Sequence, residues 1–76
     1  MAKNRDDKFL KKLGANVKKL RQARELTTRE FADLADIAYN QVWRIENGKH
    51  DPSIGTILAI ARALEVPLAE LLPPVK

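Results

Sequence analysis

LTTREFADLADIAYNQVWRIENG, residues 26–48, reads as two short amphipathic helices joined by a tight turn. Thr27-Thr28-Arg29-Glu30 has the capping-box pattern, in which Thr27 caps the helix start and Glu30 reaches back to it. The inner face expected for this helix is Phe31, Leu34 and Ala35, with Ala32 where two helices cross. Asp36-Ile37-Ala38 then makes the turn. The next helix spans Tyr39 to Asn47 and stops at Gly48, a residue suited to a left-handed cap. At about 100° per residue, Val42 and Ile45 fall on one side of it, joined by Ile37 from the turn. Asn40, Trp43, Arg44 and Asn47 fall on the other, flanked by Tyr39 and Gln41.

The flanking sequence supplies a core for this pair. Upstream, Leu10, Leu13, Val17 and Leu20 make one stripe of a helix from Asp7 to Arg24, and Lys11, Lys12, Lys18 and Lys19 lie off it. Gly14 in the middle of that helix costs about 1 kcal/mol relative to Ala, which points to close packing of a neighbour. Downstream, Lys49-His50-Asp51-Pro52 is a loop and Ser53 caps a helix with Ile54, Ile57, Ile60, Ala61 and Leu64 on its apolar face. Pro67 suits the first position of a last short helix carrying Leu68, Leu71 and Leu72, which Pro73-Pro74 ends. No strand pattern, repeat or low-complexity tract interrupts the series. The expectation is an all-α, compact five-helix bundle over residues 7–72, between a flexible arm (1–6) and a short tail (73–76).

Seventy-six residues permit one domain. A chain this small buries only about 60% of the surface that its unfolded form exposes. With no cysteine there is no disulfide framework, thiolate metal site or thiol nucleophile. The polar start resembles no secretory signal, and no apolar run suits a membrane span, so the cytoplasm is the expected compartment. The net charge of +4 is unevenly placed. Lys3, Arg5, Lys8, Lys11, Lys12, Lys18, Lys19, Arg21, Arg24 and Arg29 all precede residue 30, whereas only Arg62 and Lys76 are basic after His50. One end can face a polyanion. The plainer reading is a set of solvated lysines on helix surfaces.

The outer face of the Tyr39–Asn47 helix has the chemistry of major-groove recognition. Asn and Gln can pair bidentately with adenine, and Arg with the acceptors of guanine. Tyr39 can touch a thymine methyl group or a phosphate; Trp43 can give its indole N–H to a phosphate or lie along the sugar edge. Polar residues also make an ordinary solvated face, and Trp43 can instead pack on the preceding helix or a dimer mate. Catalysis is not expected: His50 is the lone histidine, beside Asp51 in a loop, and no phosphate loop, metal-ligand cluster or paired-carboxylate site is present. No cofactor or metal is expected.

The segments LGANVKKLRQAREL, LTTREFADLADI, VWRIENGKHDPS and TILAIARALEVPLAELL together resemble the phage repressor and Cro group of helix-turn-helix proteins, also called the Xre type. RIENGK followed by Pro-Ser is the most diagnostic part, and the resemblance spans Leu13 to Leu72. It implies a lambda-repressor-like five-helix bundle whose third helix enters the major groove, commonly as a two-fold dimer on a palindromic site. By position it makes Tyr39, Asn40 and Arg44 base-reading residues, with Gln41 and Trp43 beside them. It places Thr28, Asn47 and Lys49 on the DNA backbone, with Trp43 as a further backbone contact. It also makes Arg21 and Glu46 a structural ion pair. The chain departs from the family pattern in Thr28, where Gln is common, in Asp36 for a turn Gly, in Ala38 for a capping Ser or Thr, and in Pro67 for a capping Ser.

A single helix reads few base pairs, so a homodimer is expected. Leu58, Leu71, Leu72 and Val75 are the candidates for its interface, although Leu71 and Leu72 also suit the domain's own core. The functions implied are a transcriptional regulator, most simply a repressor, or a restriction-modification controller or antitoxin of the same fold. A protein-interaction module with little DNA binding is the reading from another class.

Overall fold

Helix ends in the computed structural model, which describes residues 6–74, follow the local capping chemistry. The order is α1 (Asp7–Ala23), α2 (Thr28–Ala35), α3 (Tyr39–Glu46), α4 (Ile54–Leu64) and α5 (Leu68–Leu71), with no strand among the described residues. Asp6, assigned above to the arm, caps α1 by accepting from the Phe9 amide at 3.0 Å. The rest of the arm, Val75 and Lys76 lie outside the described residues. Thr27 accepts from the Glu30 amide at 3.1 Å while Glu30 accepts from the Thr27 amide at 2.9 Å, a complete capping box. Ser53 accepts from the Thr56 amide at 3.2 Å and starts α4. Left-handed residues follow the helices: Glu25 (φ 57°), Asp36 (φ 59°), Gly48 (φ 70°) and Glu65 (φ 57°). Arg24 and Asn47 are C-caps and Pro67 is the N-cap of α5, each one position from the expected boundary.

Leu10, Leu13 and Val17 of α1 meet Phe31, Val42, Ile45, Ile60 and Leu64 in one core. Three apolar positions depart from expectation. Leu34 is 60% exposed, because α2 buries the arc Phe31-Ala32-Ala35 and Leu34 falls off its edge. Ile54 is 71% exposed: it opens α4, where the first turn projects past the core. Leu71 is 0% exposed and cannot serve a dimer interface. Its side chain is sealed in the core as α5 packs on α1 and α4, and the Asn16 side-chain amide donates to the Leu71 carbonyl at 2.9 Å. Leu72 is half-buried against the same core, and Leu58 is exposed.

Two glycines set the distance between α1 and α3. A Cβ on Gly14 would collide with the Ile45 carbonyl oxygen and come within 2.7 Å of that of Glu46. A Cβ on Gly48 would lie 2.8 Å from Lys11 Cγ and 3.0 Å from its Cα, besides being strained at positive φ. The backbones of α1 and α3 therefore touch, as the mid-helix glycine predicts. Arg21 of α1 adds a bidentate bond to Glu46 of α3, with Nε–Oε2 at 2.7 Å and Nη2–Oε1 at 3.1 Å. Its remaining Nη1 donates to the Leu26 carbonyl at 2.8 Å, so one buried guanidinium ties α1, α3 and the α1–α2 link. Among the described residues no helix is long and apolar enough to cross a membrane.

Candidate nucleic-acid interface

The outer side of α3 is fixed by what its inner side does. Val42 and Ile45 are each 1% exposed, and the glycine contacts leave α3 no room to roll. Asn40, Trp43, Arg44 and Asn47 are consequently all exposed, with Trp43 at 54% and Tyr39 at 47%. More than half of Trp43 therefore faces solvent in the monomer. Gln41 is half-buried at the flank. Tyr39, Asn40, Trp43 and Arg44 line one open groove along the surface of α3.

The residues expected on the DNA backbone surround this face without all standing free. Thr28, the first residue of α2, is half-buried. The capping box serves Thr27 and Glu30, leaving the intervening amides of Thr28 and Arg29 to an outside acceptor. Asn47 donates one side-chain N–H to the Trp43 carbonyl at 2.8 Å and has a second to give. Lys49 is exposed beyond the α3 C-terminus, and its own amide donates to the Arg44 carbonyl at 2.7 Å. No side chain caps the start of α3 at Ala38, the residue that departs from the family pattern there.

Two cations join the site that the sequence did not assign to it. The Arg29 guanidinium lies over the Tyr39 ring, 5.1 Å from its centroid, linking the start of α2 to the start of α3. Lys11, an exposed residue, rests against Gly48, the residue before Lys49 in the chain. Neither pairing has a sequence signal, because each joins residues on different helices. After His50 the exposed charges are mixed, Arg62 with Glu65 and Glu70, and Glu65 pairs with Arg24 at 3.1 Å in solvent. Among the described residues no group of His, Asp and Glu could hold a metal ion.

A basic rim around an outward, polar, eight-residue helix has the size and chemistry to enter a groove about 12 Å wide. Comparison with known proteins bears on the family and the fold. A family model described as helix-turn-helix matches residues 17–71. The restriction-modification controller protein C.AhdI from Aeromonas hydrophila superposes with a TM-score of 0.81 at 32% identity, over 83% of this chain and 96% of that one. An HTH_3 family transcriptional regulator from Vibrio cholerae gives 0.81 at 28% identity, covering 86% of this chain and 36% of its own. A hypothetical transcription factor, NHTF from Neisseria, gives 0.82 at 23% identity over 97% and 86%, a likeness of fold. No curated protein sequence matches the chain.

Proposed function

The chain belongs to the helix-turn-helix family, and on that footing we propose that it is a sequence-specific, double-stranded-DNA-binding transcriptional regulator, a repressor acting as a dimer. The observation that carries this reading is the exposed polar side of α3, held outward by the buried contacts of Gly14 and by the Arg21–Glu46 pair. With α3 in the major groove, Arg44 engages the N7 and O6 of guanine. Asn40 and Gln41 pair with adenine, and Tyr39 reads beside them. Thr28, Trp43, Asn47 and Lys49 hold phosphates and sugars, which sets orientation without carrying sequence information. Lys11, which rests against Gly48, adds a further cation.

Eight residues of helix extend about 12 Å, or roughly three to four base pairs at 3.4 Å each. Two copies on a palindromic site double that reading length. The exposed Leu58 supports a two-fold interface on α4, with Leu72 and Val75 as further candidates. Light scattering after size exclusion, with and without DNA, tests this part: a strict monomer in both removes it. Repression follows if the bound dimer excludes polymerase.

Selecting duplexes from random DNA and titrating the best at several salt concentrations tests the central reading. A specific binder loses affinity linearly in log salt and still prefers its site at physiological salt. Indifference to every duplex would remove the proposal and favour a protein-interaction role. A second reading, the controller of a restriction-modification system, is favoured by the likeness to C.AhdI over nearly that protein's whole length. Restriction and methyltransferase genes beside this one, with the selected site upstream of them, would decide for it.

A further inference from the structure

The exposed side of α3 is built as two adjoining columns of unlike chemistry. Tyr39 and Trp43 are four residues apart and so neighbours along the helix, and Asn40 and Arg44 form a second such pair beside them. All four line the same open groove. Solvent satisfies the amide and the guanidinium, but it offers no apolar partner to the exposed parts of the two aromatic rings. The Tyr39 ring is also held from outside α3, by the Arg29 guanidinium over it. A partner that fits both columns offers an apolar group directly beside hydrogen-bond acceptors. On the base edges of the major groove the apolar group is the thymine C5-methyl, and the strongest acceptor pair for an arginine fork is guanine N7 and O6.

We infer that the two columns read one composite element, a thymine next to a guanine. The thymine methyl lies against Tyr39 and Trp43 while Arg44 takes the N7 and O6 of the guanine. This deepens the DNA-binding reading and rests on it, and it gives Trp43 a share in base discrimination beyond backbone contact. Arg29 acts as a positioning residue for the tyrosine half.

Replacing thymine with uracil removes the methyl and leaves every hydrogen-bonding group of the base pair in place. The full chain is used to select a preferred duplex, and each thymine in it is then exchanged singly for uracil. The thymine neighbouring the guanine, in each half-site, is expected to weaken binding about 4-fold, the worth of one buried methyl group. Trp43→Ala and Tyr39→Ala, measured at low salt where phosphate contacts retain the complex, should bring the thymine-to-uracil ratio at that position toward one. A selective binder indifferent to every exchange would overturn the inference and leave DNA reading standing. A thymine preference undiminished in both ring variants would overturn it too. Failure to select any duplex would overturn the DNA-binding reading itself, and the inference with it.

Discussion

Gly14 and Glu46 touch backbone to backbone: a methyl group on the Gly14 α-carbon would come within 2.7 Å of the Glu46 carbonyl oxygen. Two effects of opposite sign meet there. Alanine is the better helix former by about 1 kcal/mol, whereas forcing a methyl against main-chain atoms costs about 1–3 kcal/mol. Because the obstructing atoms are backbone on a packed helix, the second wins. Gly14→Ala is expected to lower the urea midpoint and to weaken specific DNA binding by pushing α3 away from α1. Unchanged or raised stability would show that the helices separate freely.

Removing Glu46 leaves the Arg21 guanidinium buried with only the Leu26 carbonyl as partner. Breaking one side of such a pair costs about 3–5 kcal/mol. Glu46→Ala should therefore cause a large loss of stability in denaturant unfolding. What remains folded at low temperature should keep its choice of DNA sequence. A stable variant with altered sequence preference would place Glu46 in the reading surface instead.

Arg44 and Lys49, both exposed, should fail in different ways. Arg44→Ala is expected to cost about 1–3 kcal/mol on the preferred site and to relax one base position. Lys49→Ala should weaken all sequences alike and reduce the salt slope by about one. Titrations of cognate and scrambled duplexes at three salt concentrations separate these outcomes. Equal losses on both duplexes for Arg44→Ala would end its assignment to base reading.

Ala38 has the extended backbone of a cap, φ −68° and ψ 145°, without a side chain to do the work. Ser or Thr at this position should stabilise the fold by about 0.5–2 kcal/mol, a rise of several degrees in Tm for a domain this size. Thermal unfolding followed by circular dichroism reads the effect directly. No rise for Ala38→Ser would mean that the first turn of α3 is already satisfied.

What could be read from the sequence was what neighbours in the chain settle among themselves. Thr27 and Glu30 lie one turn apart, so their reciprocal cap needed no tertiary information. The division of α3 into Val42 and Ile45 against Asn40 and Arg44 follows from helical spacing alone. Leu34 shows where this stops: hydrophobicity and spacing allowed it inside, but a two-turn helix buries a narrow arc, and Ala35 and Ala32 fill it on the side of Phe31 away from Leu34. For Leu71 the sequence left a dimer interface and the domain's own core both open, and only the placement of α5 on α1 and α4 decides for the core. Arg29 over Tyr39 and Lys11 against Gly48 arise from packing between helices, and residue identity gives no hint of either.

Asn16 holding the Leu71 carbonyl, with Leu71 itself enclosed, has a consequence for truncation. Most of the apolar side of α1 is covered by α3, and α5 closes what remains. A chain cut short after α4 would keep α3 but lose the Leu71 side chain from the core and leave the Asn16 amide without its acceptor. Completeness of the core is thus decided by four residues, Leu68–Leu71, that lie outside the helix-turn-helix pair itself.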